Sequence, residues 1–290
     1  LPARAEVRPM PLGVVGVMKS GIPYSTLIAF IVGAAAFLSA VLWTVFTTDE
    51  FPPNDLETFR KKNAEGSIVA NILKEVGDAF REMPTTMKQL AIVQFFTWFA
   101  LPFMWQFYGL TVARHVFGAV DDKSDLFKQG TEWGGVCFAI YNLVCFLVAF
   151  GIPPLAAKIG RKGVHMICLT CGGLGLISTY FAGNPYFLWV GMIGVGIAWA
   201  SILSMPYVIL AGAIKPERMG VYMGVFNLFI VIPQVVQSFL TPQIYKSILG
   251  DNPLNAVILG GISMLVAAVC VLVVKDIGAA KIEGISGGGH

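Results

Sequence analysis

The sequence predicts an all-α membrane protein with seven transmembrane helices. Hydrophobic residues make up 56% of the 290 residues and charged residues only 13%, whereas a soluble domain carries about 25% charged residues. The mean hydropathy is +0.73. So few ionic groups exclude a cytosolic enzyme, a disordered protein and a nucleic-acid-binding domain, and a net charge of +3 is too small to indicate an anionic partner.

Long stretches without Asp, Glu, Lys or Arg locate the predicted helices. A helix crosses the hydrocarbon core with about 20 apolar residues. The longest charge-free stretch, 166–214, therefore holds two crossings, with a turn at the Gly-Asn-Pro sequence 183–185. The stretches are continuously apolar, which favours helices over barrel strands. The predicted crossings are 24–46, 88–112, 133–154, 165–182, 186–211, 219–243 and 253–274.

The distribution of Lys and Arg predicts the orientation in the membrane. The connections 47–88, 158–162 and 215–218, together with the tail after 274, hold 13 of the 20 Lys and Arg residues. Cytoplasmic connections of membrane proteins carry an excess of these residues. We therefore expect this side of the protein to face the cytoplasm.

The predicted crossings divide as one plus six, separated by the charged segment 47–88. Transporters are often built from repeats of three or six helices. The division therefore predicts that N-terminal helices of the same transporter are missing from this chain. We expect an outer segment and the last helix of an N-terminal half in 1–48, a cytoplasmic central loop in 49–87, a six-helix bundle in 88–275 and a cytoplasmic tail in 276–290.

The central loop contains a predicted amphipathic helix over residues 66–83. Its apolar residues recur at helical spacing, with charged residues on the opposite face. Two interpretations stay open, a regulatory docking site and a strut between two halves. The apolar positions are Val69, Ile72, Leu73, Val76, Phe80 and Met83.

Aromatic and amide residues share one face of the crossing 88–112. Gln94, Trp98, Trp105 and Tyr108 are separated by helical spacings. Proteins hold sugars by packing the apolar face of the ring on an aromatic side chain while an amide bonds the hydroxyls. We therefore interpret Gln94, Trp98 and Trp105 as substrate-binding candidates. The alternative is an aromatic belt at the membrane interface, which accounts well for Tyr108 but poorly for Trp98, a mid-crossing residue.

Further polar residues lie within other crossings. Asn227, Gln234 and Ser238 are spaced to share one face of the crossing 219–243, and Asn142 is central in the crossing 133–154. A polar side chain inside a membrane must face a partner or a water-filled cavity. Asn142, Asn227 and Gln234 are therefore further substrate-binding candidates, and hydrogen bonding between helices is the alternative.

We expect no catalytic residue, no metal site and no cofactor. The three histidines are not accompanied by a nucleophile and an acid in a catalytic pattern, and the five cysteines lie inside apolar stretches. No crossing carries Asp, Glu, Lys, Arg or His near its middle, where proton relays normally have such a group. Ion or proton coupling would therefore use the helix ends or a part of the transporter outside this chain, and a uniporter is the alternative.

Three segments carry a resemblance to a known family. KPERMGVYMGVFNLFIVIPQVVQS at 215–238, PPLAAKIGRKGVH at 153–165 and VLWTVFTTDEFPP at 41–53 resemble sugar transporters of the major facilitator superfamily. The sucrose-transporter-like branch, with its bacterial relatives, is the most similar. The resemblance covers 20–275 and implies the sixth helix and the C-terminal six-helix bundle of a major facilitator fold.

The resemblance also implies a function. We expect transport of a disaccharide or glucoside such as sucrose by alternating access, with symport of a cation or proton, in a plasma membrane or bacterial inner membrane. Alternatives are a seven-helix receptor or scaffold without transport activity and a carrier of another small solute. An arginine expected in the helix matching 133–154 is absent.

The segment 153–165 resembles a cytoplasmic gating loop of the superfamily. Lys158, Gly160, Arg161 and Lys162 keep its glycine and its positive charges, whereas Ala157 stands where an acidic residue is common. The resemblance implies a cytoplasmic gate at these four residues. A simple topological signal from the positive charges is the alternative.

Overall fold

The computed structural model describes residues 24–48 and 68–277. The chain forms two compact units, one within 6–72 and the other from Leu73 onward. Among the described residues there is no strand, and seven helices are long and apolar enough to cross a membrane. The predicted all-α membrane class is confirmed. The outer segment before Tyr24, the loop 49–67 and the tail after 277 lie outside the described residues.

Helix α1 spans Tyr24–Thr47 and belongs to the first unit. Its 24 residues give a length of about 36 Å, which suffices for the hydrocarbon core. Helix α2 spans Ile68–Arg81 and matches the amphipathic helix predicted within 66–83. Near its C-terminal end, the ring of Phe80 packs edge-on against Phe229, with 6.5 Å between ring centroids.

The described part of the second unit contains six segments that are long and apolar enough to cross a membrane. One of them is divided, because α7 is continued by α8, and the short helix α5 follows the segment formed by α4. The helices are α3 (Thr85–Thr111), α4 (Asp125–Ala149), α5 (Ile152–Ile159), α6 (Arg161–Ser178), α7 (Leu188–Ile202), α8 (Met205–Ala211), α9 (Met219–Ser247) and α10 (Pro253–Cys270).

Glycines allow α6 to approach α7 and α10 closely. A Cβ atom at Gly175 would lie 2.3 Å from the carbonyl oxygen of Gly191, and one at Gly173 would lie 2.8 Å from the carbonyl oxygen of Gly261. Small residues at such contacts are typical of helix packing in membranes. The helices α6, α7 and α10 therefore form one closely packed layer.

Helix α3 packs on the same unit from another side. Ser263 of α10 donates a hydrogen bond to the carbonyl oxygen of Phe96, with 2.8 Å between the atoms. Toward its C-terminal end, the ring of Phe107 stacks on Tyr245 of α9 at 4.9 Å between centroids. These contacts leave one face of α3 directed toward α7, where the candidate site lies.

Two predicted crossings differ most from the observed helices. The crossing predicted at 133–154 begins earlier, at Asp125, because Ser124 caps the helix by accepting a hydrogen bond from the Phe127 amide. It ends at Ala149, and α5 begins at Ile152. The crossing predicted at 186–211 is divided between α7 and α8. Pro206 in the first turn of α8 has no backbone N–H to continue the helical hydrogen bonds.

One end of the second unit, called the basic end below, contains the N-terminus of α6 and the C-terminus of α10. Lys162 donates a hydrogen bond to the carbonyl oxygen of Leu272 at 3.1 Å. The Thr86 hydroxyl donates to the carbonyl oxygen of Lys275 at 2.8 Å. These bonds tie the starts of α6 and α3 to the segment around the end of α10.

Candidate functional site

Three indole rings meet between α3 and α7. Trp199 of α7 lies edge-on to Trp98 and to Trp105 of α3, with 5.9 Å between ring centroids in both pairs. Trp98 is 8% exposed and Trp105 is 36% exposed, while Trp199 is half-buried. We call these residues the tryptophan cluster. Contact with rings of another helix restricts the orientation of each indole and prepares an aromatic surface before any ligand binds.

Gln94 lies one helical turn from Trp98 on the same helix and is fully buried. Neither its amide nitrogen nor its amide oxygen has a hydrogen-bond partner among the described residues, and the same holds for the indole nitrogen of Trp98. A buried polar group without a partner costs about 1–3 kcal/mol. Both side chains therefore retain hydrogen-bonding capacity. Contact between Gln94 and a substrate stays a prediction, because the amide is enclosed in this conformation.

Asn227 of α9 is held by a residue of another helix. The Tyr207 hydroxyl of α8 donates a hydrogen bond to Asn227 Oδ1 at 3.2 Å. The Tyr207 ring packs edge-on against Phe226, with 5.4 Å between centroids. Asn227 is exposed and Tyr207 half-buried. The pair therefore presents a tyrosine hydroxyl and an amide at an accessible surface, where both can exchange hydrogen bonds with a polar ligand.

The other predicted amides bond to their own helices. Asn142 is exposed and donates to the carbonyl oxygen of Phe138 at 2.8 Å. Gln234 is half-buried and donates to the carbonyl oxygen of Ile230 at 3.0 Å. Ser238 is exposed and forms a shallow groove with Gln234 on α9. No contact among the described residues links Asn142, Gln234 or Ser238 to the tryptophan cluster. The binding role of Asn142 and Gln234 stays a prediction.

Gln237 of α9 is fully buried and makes polar contacts. Its amide nitrogen donates to Thr241 Oγ1 at 2.8 Å, and its amide oxygen accepts from Gln106 Nε2 of α3 at 3.5 Å. The second bond joins α3 and α9, as the alternative of hydrogen bonding between helices requires. Gln237 therefore joins α3 to α9, unlike Asn227, Gln234 and Ser238, the residues predicted to share one face of the crossing 219–243.

The predicted gating loop connects α5 and α6 at the basic end. Gly160 has φ 78°, a conformation that favours glycine because a side chain would be strained there. Arg161 contacts Asp276 at 3.7 Å and donates to the carbonyl oxygen of Val208 at 3.4 Å. Lys162 bonds to the end of α10, whereas Lys158 is exposed. The loop thus fastens α6 to α8 and α10, and its gating role stays a prediction.

A second ionic contact at the basic end was not expected from the sequence. The Arg218 guanidinium, just before α9, donates to the Glu82 carboxylate, just after α2. This hydrogen bond raises the pKa of Arg218 above its ordinary value. The Tyr222 hydroxyl also donates to the backbone carbonyl oxygen of Glu82, at 3.3 Å. The C-terminal end of α2 is therefore joined to the first turn of α9.

Sequence reasoning missed Trp199 and Tyr207. Trp199 lies in an apolar stretch with no spacing that links it to Trp98, and only the packing of α3 against the bundle brings them together. Tyr207 directly follows Pro206, and a proline at a helix break was an available signal that the next side chain has an unusual position. Among the described residues, no group of His, Cys, Asp and Glu could hold a metal ion.

The chain belongs to the Major Facilitator Superfamily, whose family model matches residues 10–238. Members of this superfamily are membrane transporters, and the match supports transport rather than catalysis. Together with the seven helices that are long and apolar enough to cross a membrane within residues 24–48 and 68–277, it defines an integral, multi-pass membrane protein.

Two relatives make the comparison more specific. The chain is 25% identical over 256 residues to the sucrose transport protein SUT1 of Oryza sativa subsp. japonica, covering 78% of this chain and 46% of the relative. It is 24% identical over 123 residues to the uncharacterized MFS-type transporter YhhS of Escherichia coli (strain K12), covering 42% of this chain and 30% of the relative. The chain spans about half the length, or less, of these relatives.

Proposed function

We propose that the protein takes part in moving a sugar, namely a disaccharide or glucoside such as sucrose, across a membrane by alternating access. The observation that carries this proposal is the tryptophan cluster, an accessible aromatic surface inside a membrane protein. The similarity to a sucrose transport protein supports the same substrate class. A plasma membrane or bacterial inner membrane is the proposed location.

The tryptophan cluster suits the apolar faces of a sugar ring. A pyranose presents C–H groups on its faces and hydroxyls around its edge, so that an indole binds the face while hydrogen-bonding groups bind the edge. Trp105 is the most exposed of the three tryptophans: 36% of its surface is exposed, against 8% for Trp98, and Trp199 is half-buried. We therefore propose that Trp105 makes the first contact and that Trp199 holds it in place.

The pair of Tyr207 and Asn227 supplies hydrogen-bonding groups for the sugar hydroxyls. The Tyr207 hydroxyl donates a hydrogen bond to Asn227 Oδ1, and the Asn227 Nδ2 group can then donate to a ligand. The tyrosine oxygen can also accept a hydrogen bond. Asn142 of α4 and Gln234 of α9 are further candidates, and Gln94 is a candidate for a conformation in which the cluster is open.

Alternating access requires two bundles that rock about a shared site. We propose that residues 88–275 supply one bundle, that residues 1–48 end in the last helix of another, and that 49–87 connect the two, with 276–290 as a cytoplasmic tail. N-terminal helices of the same transporter and the lipid bilayer are the proposed partners. Symport of a cation or proton is part of the proposal, as is gating by Lys158, Gly160, Arg161 and Lys162.

Equilibrium binding to the purified protein in lipid nanodiscs tests the proposal. Sucrose and a methyl glucoside should bind saturably, whereas mannitol, which has hydroxyls but no ring, should not. Trp98→Ala should weaken sucrose binding because it removes aromatic surface. Leu174→Val changes an exposed side chain of α6 and should leave binding unchanged. Equal binding of sucrose and mannitol, or equal binding by both variants, would contradict the proposal.

A further inference from the structure

His165 is a buried histidine inside a membrane-spanning helix, and the proposed sugar site makes no use of it. It lies in the second turn of α6, near the basic end, and is fully buried. An imidazole is the side chain whose charge changes most readily near neutral pH. Whether this ring gains a proton therefore depends on the partners of both nitrogens and on the charges around it.

The two ring nitrogens have different surroundings. Nδ1 lies 2.8 Å from the Ser201 hydroxyl oxygen of α7, which is also fully buried. Nε2 is buried without a hydrogen-bond partner among the described residues. The bond to Ser201 fixes the ring across the contact between α6 and α7. Nε2 is thus a polar atom that this packed arrangement leaves without compensation.

Titratable and charged groups are sparse on the elements packed against α6. Helix α7 has none. Tyr207 of α8 bonds to Asn227, and α10 has only Cys270. On α6 itself, Arg161 contacts Asp276 and Lys162 bonds to a backbone carbonyl. The remaining groups are Lys158 of α5, Cys145 of α4, which packs against the cluster that contains Val164 and Cys168, Cys168 and Cys171 of α6, and Tyr180 at the opposite end.

No carboxylate is therefore shown in contact with the His165 ring. A proton on this ring would place a positive charge in an apolar interior without a counter-charge, which is costly. The cost falls when water reaches the ring, and this requires α6 to separate from α7 at the basic end. The packed arrangement therefore disfavours protonation of the ring, and a proton on the ring disfavours the packed arrangement.

We propose that His165 is a proton-binding site whose occupancy is coupled to the opening of the basic end. The proton binds when α6 separates from α7, and its charge then disfavours their return to the packed arrangement. If an imidazole in the opened end has an ordinary pKa of about 6.5, each pH unit below that value shifts the ratio of opened to packed molecules about tenfold. The inference does not depend on which molecule is transported.

Hydrogen–deuterium exchange of the full chain in nanodiscs tests this coupling. Protection factors, from which the intrinsic pH dependence of exchange is divided out, are measured for segments 161–168 and 200–206 from about pH 8 to about pH 5. In the unaltered protein, protection should fall by up to about tenfold per pH unit below about 6.5. In His165→Gln it should stay constant, while His115→Gln, the same exchange at an exposed position, should keep the fall.

Two results would overturn the proposal. One is constant protection in the unaltered protein, and the other is the same fall in His165→Gln. Ser201→Ala provides a second variant if His165→Gln does not fold, because it keeps the proton acceptor and should keep the pH dependence. Selective ¹⁵N-histidine NMR of the unaltered protein should then show that the His165 ring becomes protonated over the same pH range in which protection falls. Protonation over a different range would contradict the coupling.

Discussion

The aromatic side of the candidate site and its amide side are held by different kinds of contact. On the aromatic side, Trp199 of α7 contacts both α3 tryptophans, so that rings from two helices restrain one another. On the amide side, Gln234 and Asn142 each bond to a carbonyl oxygen one turn earlier in their own helix. Asn227 is intermediate, because its partner Tyr207 belongs to a different helix.

This difference indicates which groups are already positioned for a ligand. A side chain restrained by another helix loses little conformational freedom on binding, so that more of its interaction energy appears as affinity. An amide bonded to its own helix must give up that bond before it can serve a ligand. We therefore expect the effects of substitutions to decrease from the tryptophan cluster, through Asn227, to Gln234.

The largest effect is expected for Trp199→Ala. It removes the ring that contacts both Trp98 and Trp105 and should lower sugar affinity about 10- to 100-fold, equivalent to about 1.4–2.8 kcal/mol. Isothermal titration with sucrose measures the change. Trp189→Ala is the matched control, because Trp189 lies on the same helix but stacks on Trp133 at 5.8 Å. Equal losses in the two variants would mean that the cluster does not bind the sugar.

An intermediate effect is expected for Asn227→Ala. It removes one hydrogen-bonding group and should weaken sugar binding about five- to tenfold, in line with about 1 kcal/mol for a hydrogen bond. Tyr207→Phe should have a smaller effect in the same direction, because it frees the Asn227 amide to rotate. A double-mutant cycle checks the coupling. Strictly additive effects of the two substitutions would show that Tyr207 does not position Asn227.

The smallest effect is expected for Gln234→Ala. Its amide bond stays within α9, so that sugar affinity should change less than about twofold. Asn142→Ala should behave in the same way for the same reason. Equal weakening of sugar binding by Gln234→Ala and Asn227→Ala would contradict this ranking. It would show that a hydrogen bond to the same helix does not limit an amide's contribution to affinity.

The transmembrane helices could be predicted from the sequence because lipid imposes a simple requirement. A crossing needs a long apolar segment, and charges at 49–50, 114 and 158–162 interrupt the apolar stretches visibly. Helix ends were less predictable. Asp125 and Glu132 lie inside α4, because charged residues at a membrane surface can belong to a helix without entering the hydrocarbon.

The candidate site was only partly predictable. Helical spacing predicted that Gln94, Trp98 and Trp105 share a face of α3, and the contacts of Trp98 and Trp105 with Trp199 agree with this grouping for the two tryptophans. Spacing does not reveal which helix covers that face, and Trp199 was therefore missed. It also does not reveal hydrogen-bond partners, so that Asn227, bonded to Tyr207, and Gln234, bonded to its own helix, could not be distinguished.

A photoreactive sucrose analogue, cross-linked to the protein in nanodiscs and mapped by mass spectrometry, tests the central claim most directly. A sugar site at the tryptophan cluster predicts labelling in the segments around Trp98–Trp105 and Trp199–Tyr207. Excess sucrose should prevent this labelling, whereas mannitol should not. Labelling confined to the groove at Gln234 and Ser238, or labelling that excess sucrose leaves unchanged, would contradict a sugar site at the tryptophan cluster.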